Sequence, residues 1–274
     1  MNNTNKKISI NGIIVCVGWG KILEQTLKEN TITFDNIYVV TKMSDTYTRK
    51  ICNKYKNVHV LKYDFKIDED VWIAQHEKYM LNESTDGDKW FKDKANKDIF
   101  EAKYQRINEI CFNKGGAIKL AQQIVYEKHP ESFHVLLDSD IILKDDILPY
   151  INNSNTQNVN IYDKVNHTSH LAPDLQADVM YGATYRLNYS SLQDYRNKKA
   201  VQTDAGIAGH FMLYKSTKKH LMDEWTGGCG ADVWFPFGLP PYRFTKHARL
   251  PITIHHLGAP LRSVGLGEFN FTFQ

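Results

Sequence analysis

Phe133-His134-Val135-Leu136-Leu137-Asp138-Ser139-Asp140 is a mostly apolar run that ends in two aspartates one residue apart. Upstream, Gly115-Gly116 opens a segment with Ala117, Leu120, Ala121, Ile124 and Val125 at positions i, i+3, i+4, i+7 and i+8, the spacing of an amphipathic helix facing a core. A helix leading into a buried strand that ends in acids is one unit of an α/β sheet, in which ligands bind at the carboxyl ends of the strands.

Outward from this unit, the first sixty residues repeat the pattern. Ile13-Ile14-Val15-Cys16-Val17 is a short β-branched strand ending in Gly18-Trp19-Gly20, and Ile22, Leu23, Thr26 and Leu27 follow at helical spacing. The run Phe34 to Thr41 carries a second strand. Ser44 is the expected cap of a helix with Ile51 on its apolar face, and Val58-His59-Val60-Leu61 is a third strand. Residues 64 to 112 break the rhythm with Lys, Asp and Glu among scattered aromatics, and are expected to form a helical insertion with a loop around Asn82 to Lys89. Asn152 to Asn160 is polar and reads as a loop or subdomain boundary. Beyond it, Val179 to Leu187 and Ile207 to Tyr214 are strand-like, and Ser216 to about Trp225 is expected to be helical. There is no internal repeat. The expectation is one α/β domain, with a nucleotide-binding half over 1–150 and an acceptor-shaping half over 151–274.

The chain has 274 residues, 42% of them hydrophobic and 24% charged, with a formal net charge of +3. At this size about three quarters of the unfolded surface can be buried, so a core forms without metal or disulfide staples. A charge of +3 does not mark an obligate nucleic-acid binder, although Arg243, Lys246, His247, Arg249 and Arg262 make the C-terminal region locally basic. Cys16, Cys52, Cys111 and Cys229 lie far apart with no CxxC pair, as in a reducing compartment without structural zinc. The apolar run Ile8 to Val17 is broken by Asn11 and Gly12 and lacks a cleavage-like site, so it reads as a strand and not as a signal peptide. No stretch approaches the roughly 20 apolar residues of a membrane span. A soluble, cytoplasmic protein is expected.

Three D-x-D triplets occur. Asp68-Glu69-Asp70 and Asp86-Gly87-Asp88 sit in the polar insertion, where solvated acids are the default, whereas Asp138-Ser139-Asp140 terminates a buried strand. Residues i and i+2 of an extended chain face the same way, so Asp138 and Asp140 can converge. Adjacent carboxylates repel unless a cation joins them, and Mg²⁺ or Mn²⁺ favours such oxygens together with substrate phosphates. Near the C-terminus, strand alternation in Leu250 to His256 puts His256 on the face of Ile252 and Ile254, and His255 on that of Thr253. Lys114, at the start of the glycine-opened helix, suits phosphate oxygens.

Cys111-Phe112-Asn113-Lys114-Gly115-Gly116-Ala117, leading into Leu136-Leu137-Asp138-Ser139-Asp140, resembles the F-N-K-G-x-A…L-D-x-D run of GT-A-fold, family-two-like glycosyltransferases. Gly206-Ile207-Ala208-Gly209-His210-Phe211, Gly230-Ala231-Asp232-Val233-Trp234-Phe235 and His255-His256-Leu257-Gly258 resemble that family's later motifs in order. The resemblance implies a single GT-A domain, a doubly wound, Rossmann-like mixed sheet with helices on both faces. It also implies metal-dependent transfer of a sugar from a nucleotide diphosphate donor, a UDP-sugar first of all, to a hydroxyl of a glycan, a protein or a hydroxymethylated DNA base. Asp140 and His256, with Asp138, would hold Mn²⁺ or Mg²⁺, and His255 is the rival ligand. Val17, Gly18, Thr41, Asp45, Asn113, Lys114, Gly116, Asp138 and Ser139 would bind the donor. Gly209, His210 and Trp234 would face the acceptor, and Asp232 would be the general base of an inverting reaction. The family pattern has two adjacent acids there, and this chain has Ala231 before Asp232.

Two other classes compete. A sugar-phosphate nucleotidyltransferase would carry a G-x-G-x-R-x-x-P type of first loop, and here Gly18-Trp19-Gly20-Lys21 lacks the arginine and proline. A non-catalytic binding protein would tolerate loss of Asp140 or Asp232, and both are present.

Overall fold

The computed structural model describes residues 8–65, 113–144, 147–151, 158–205, 210–217, 221–222 and 244–257. In chain order the elements are β1 (Ile10–Val15), α1 (Gly20–Thr33), β2 (Asn36–Thr41), α2 (Thr46–Cys52), β3 (Val58–Lys62), α3 (Lys114–Lys128), β4 (Phe133–Asp138), β5 (Ile141–Leu143) and α4 (Leu148–Ile151). There follow β6 (Val159–Asp163), β7 (Thr168–Ala172), β8 (Val179–Tyr189), α5 (Leu192–Arg196), β9 (Val201–Asp204), β10 (Phe211–Lys215) and β11 (Lys246–Leu257).

Among the described residues the strands form one mixed sheet of 11 strands in the order β3-β2-β1-β4-β10-β8-β11-β6-β7, with β5 on β11 and β9 on β8. β3, β2, β1 and β4 are parallel, and β10 joins β4 antiparallel. The sheet therefore runs without interruption from the first half of the chain into the second.

Both faces of the parallel part are covered. Ile10, Ile14, Ile37 and Val39 pack on one side with Leu23 and Leu27 of α1 and Ile51 and Cys52 of α2. Their alternates Ile13, Tyr38, Val40 and Leu136 pack on the other with Ala117, Ala121 and Val125 of α3. Burial on both faces is why these strands read as continuous apolar runs and do not alternate. Each buried Leu, Ile or Val side chain contributes about 1.5–3 kcal/mol of transfer free energy. Gly20 lets α1 and α2 meet closely, since a Cβ there would stand 2.6 Å from the Tyr47 ring.

Several expectations change in detail. The cap of α2 is Asp45 and not Ser44, because the Asp45 carboxylate accepts from Thr48 N at 3.0 Å. α3 starts at Lys114, capped by the Asn113 side chain, and its buried stripe includes Ile118 and Gln122 beside Ala117, Ala121 and Val125. Val159 and Asn160, expected in a loop, belong to β6. The expected helix from Ser216 does not form at Ser216, Thr217, Leu221 or Met222. Two of these backbone N–H groups are tied elsewhere: Ser216 N donates to Ser132 O at 2.9 Å, and Met222 N donates to Gln122 Oε1 at 2.6 Å. The insertion expected over 64–112 lies outside the described residues from 66 onward. Among the described residues, no helix is long and apolar enough to cross a membrane.

Candidate functional site

Four chain segments converge on the carboxyl edge of β4. Val15, at the end of β1, is the register partner of Asp138. Phe211 pairs with Leu137, which brings His210 beside Asp138. His256 of β11 pairs with Ile141, and Leu257 N donates to Asp140 O at 2.8 Å, so the end of β11 is fastened to the acidic turn.

The turn is held on its other side by α1. Thr26 Oγ1 donates to Ser139 O at 2.8 Å, Asn30 Nδ2 donates to Ile141 O at 2.8 Å, and Thr33 Oγ1 donates to Leu143 O at 2.9 Å. Asn30 Oδ1 accepts from Leu143 N at 2.9 Å. At spacings of four and three residues these side chains lie on one helix face. Thr26 thereby fastens the turn at Ser139, and Asn30 and Thr33 supply side-chain hydrogen bonds to β5.

Asp138 is engaged by two basic groups. Lys114 Nζ donates to its Oδ1 at 2.8 Å, and His210 Nδ1 stands 3.4 Å from its Oδ2. Burial is the largest influence and would raise the carboxyl pKa, but Lys114 and then His210 together outweigh it and hold the group well below the usual carboxylate range.

Asp140 faces His256, whose Nε2 lies 3.2 Å from Asp140 Oδ2. The other ring nitrogen, Nδ1, lies 2.9 Å from Oδ1 of Asn188 on β8. Asn188 Nδ2 donates to Val201 O and to Thr203 Oγ1, both at 3.0 Å. With its amide hydrogens so used, Asn188 presents an oxygen to His256, and Nδ1 must carry the ring proton. Nε2 is then the ring nitrogen that faces the Asp140 carboxylate. Asp140 Oδ1 is buried and has no partner among the described residues. A carboxylate oxygen without a partner and an imidazole whose far nitrogen is locked are two donors whose chemistry is compatible with a divalent cation.

His255, the rival ligand, is taken by packing. Its ring stacks on Tyr189 with an interplanar angle of 8°, and its Nδ1 lies 2.9 Å from Tyr189 Oη. Among the described residues no group of three or more His, Cys, Asp or Glu is arranged to hold a metal ion. The structure brings Asp140 and His256 together, while Asp138 meets Lys114 and His210.

The expected donor-loop residues form a closed knot. Gly18, at φ 75°, donates its N–H to Asp45 Oδ2 at 2.8 Å. The same oxygen accepts from Thr48 Oγ1 at 2.8 Å and from Thr41 Oγ1 at 3.4 Å. Burial would raise the Asp45 pKa, but the bonds from Gly18, Thr48 and Thr41 outweigh it and lower it. Asp45 and Thr41 thus shape the loop after β1, leaving Gly18 exposed and Val17 half-buried beside it. Asn113 accepts from Gly116 N at 2.7 Å, and a Cβ on Gly116 would collide with the Tyr63 hydroxyl and with Asn113. Asn113 and Gly116 therefore build the helix start that presents Lys114. Cys16 and Cys52 are buried thiols whose pKa burial raises to about 12, which makes them inert.

Asp232, Trp234 and Gly209 lie outside the described residues. Asn188, Thr203, Thr26 and Asn30 were not anticipated. A polar residue at alternate positions of a strand looks like a solvent-facing one, and only the pairing of β8 with β9 and β11 turns Asn188 toward the site.

No protein-family model and no curated protein matches the sequence. Solved structures do match, among them one assigned as a glucose-1-phosphate thymidylyltransferase from Bacillus anthracis in complex with sucrose. It is 13% identical, and the match covers 76% of this chain and 72% of that chain with a TM-score of 0.27, too low to bear on fold or chemistry.

Proposed function

We propose that this chain is a metal-dependent glycosyltransferase that moves a sugar from a nucleotide diphosphate sugar, a UDP-sugar in the first instance, to a hydroxyl acceptor. One observation carries the reading: Asp140 Oδ1, buried and unpartnered among the described residues, sits with the locked His256 ring at the edge of the sheet where ligands bind. Asp140 and His256 would hold Mn²⁺ or Mg²⁺. When bound, the cation supplies positive charge for the departing diphosphate.

The chain's own groups do the rest. Lys114, at the N-terminus of α3, meets phosphate oxygens, and the same helix end favours negative charge. Asp138, oriented by Lys114, faces the ribose, and the exposed Gly18 loop lets the nucleotide approach the backbone. Asp232 takes the proton of the acceptor hydroxyl while the new glycosidic bond forms and the bond to the diphosphate breaks, which inverts the anomeric centre. His210, with Gly209 and Trp234, lines the acceptor side. The acceptor is a glycan, a protein or a hydroxymethylated DNA base, residues 1–150 bind the donor and 151–274 the acceptor, and the enzyme works in the cytoplasm.

Sugar-phosphate nucleotidyl transfer is the second reading. The Lys114 ammonium at a helix N-terminus favours it, because the phosphates of a nucleoside triphosphate would be met there equally well. The test is a thermal-shift screen with Mn²⁺ against nucleotide sugars and nucleoside triphosphates, followed by product analysis. Glycosyl transfer releases a nucleoside diphosphate from a nucleotide sugar, and nucleotidyl transfer releases pyrophosphate from a triphosphate. Asp140→Ala is expected to lower metal-stimulated turnover at least about 100-fold with an unchanged unfolding midpoint. Turnover equal to the parent enzyme would remove Asp140 from the site.

A further inference from the structure

We propose that Arg186 is an oxyanion ligand of this site and takes a phosphate oxygen of the donor diphosphate from the β8 side, while Lys114 approaches from α3. The proposal rests on the nucleotide-sugar reading above and adds a residue that neither the motifs nor the expected loops contain.

Arg186 stands two residues before Asn188 on β8, so the two side chains leave the strand on one face. Their register partners on β11 are Ile254 and His256, and those on β9 are Thr203 and Val201. Arg186 Nε donates to Thr203 Oγ1 at 3.3 Å, the same hydroxyl that accepts from Asn188. A continuous polar path therefore runs from Arg186 through Thr203 and Asn188 to His256 and Asp140.

Nε is anchored, and the rest of the guanidinium has no carboxylate partner among the described residues. Arg249 makes the contrast: it is held by both oxygens of Asp204, at 2.8 and 2.7 Å. A half-buried guanidinium lacking a paired anion is costly unless an anion arrives. Burial works against the Arg186 charge, and the negative charge of Asp140, at the other end of the polar path, favours it. A cation held by Asp140 would repel Arg186, and a diphosphate shared between them removes that repulsion. The planar fork fits two phosphate oxygens where a lysine offers only a point charge.

The experiment is calorimetric titration of the full chain, its Arg186→Gln variant and its Arg186→Lys variant, first with Mn²⁺ alone and then with inorganic pyrophosphate at saturating Mn²⁺. Arg186→Gln is expected to bind Mn²⁺ as tightly as the parent or several-fold tighter, and to bind pyrophosphate at least about 10-fold more weakly. Arg186→Lys is expected to regain part of that loss. Pyrophosphate binding within twofold of the parent in Arg186→Gln overturns the proposal. Should Arg186→Gln fail to fold, Arg186→Met takes its place, and pyrophosphate binding within twofold of the parent in that variant overturns the proposal in the same way. Pyrophosphate binding that needs no Mn²⁺ yet is lost in Arg186→Gln would keep Arg186 and sink the metal reading. Binding of neither probe by the parent would sink both.

Discussion

Asn188 is 2% exposed, and both of its side-chain polar atoms are engaged, with Val201, Thr203 and His256. It defines which nitrogen of His256 faces Asp140, and this makes it a positioning residue for whatever cation the pair receives. Asn188→Leu keeps the volume and removes the acceptor, so the imidazole is free to rotate or to change tautomer. Mn²⁺ affinity is expected to fall about 10- to 100-fold by calorimetry, and the ¹⁵N resonances of His256 should shift from a single Nδ1–H form toward a mixture. A variant that binds Mn²⁺ like the parent, with an unchanged tautomer, would show that the ring is held by packing alone. At this scale the sequence was half legible. Asp138, Asp140 and His256 stand out because each lies at the end of an apolar strand, but Asn188 and Arg186 do not, since a polar residue inside an alternating strand carries no mark of what it will face.

Element by element, the acidic turn is held by side chains of a helix. α1 reads as an amphipathic helix with Ile22, Leu23, Thr26 and Leu27 at helical spacing, and nothing in that spacing marks Asn30 or Thr33. In the structure Asn30 is fully buried and bonded to both the carbonyl of Ile141 and the N–H of Leu143. Asn30→Leu would leave those backbone groups without partners, at about 1–3 kcal/mol each. Chemical denaturation is the measurement, and a loss under 1 kcal/mol would show that water replaces the amide. Loosening of β5 should also move the Asp140 turn, so Mn²⁺ affinity falls with stability in Asn30→Leu while the remote core is untouched. A three-residue strand such as β5 leaves too short a pattern to be recognised, and its pairing depends on residues more than a hundred positions away. The parallel strands were legible for the opposite reason, because each is long enough, and apolar enough on both faces, to betray a place between two helical layers. The helix expected from Ser216 went the other way: the backbone N–H groups of Ser216 and Met222 bond to the Ser132 carbonyl and to the Gln122 side chain, partners that local pattern cannot foresee.

For the molecule as a whole, the sheet's centre carries a titratable group that ties its stability to pH. His134 on β4 is 1% exposed, pairs in register with Asn11 and Tyr214, and has neither ring nitrogen hydrogen-bonded among the described residues. Burial, assisted by the nearby His129 charge, lowers its pKa from 6.5 to about 3. The unfolded chain thus takes up a proton at His134 as pH drops below about 6.5, and the folded chain does not until about 3. Between those limits the unfolded state binds more protons, so stability falls as pH falls, by up to about 1.4 kcal/mol per pH unit; above 6.5 the contribution is flat. His59, also lowered by burial, adds a further part in the same direction. Asp45 and Asp138, held below the usual carboxylate range, also lose stability in acid, but only below the unfolded aspartate pKa near 4. Among the described groups whose pKa is shifted, the window from pH 6.5 to 4 therefore belongs chiefly to His134 and His59. His134→Leu fills the same place with no nitrogen to protonate. Its unfolding free energy at pH 7.5 is expected to match or exceed the parent's, and its slope between pH 6.5 and 4 to shrink markedly in urea titrations across that range. An unchanged slope would mean that His134 finds a proton acceptor in the folded chain and is not buried neutral.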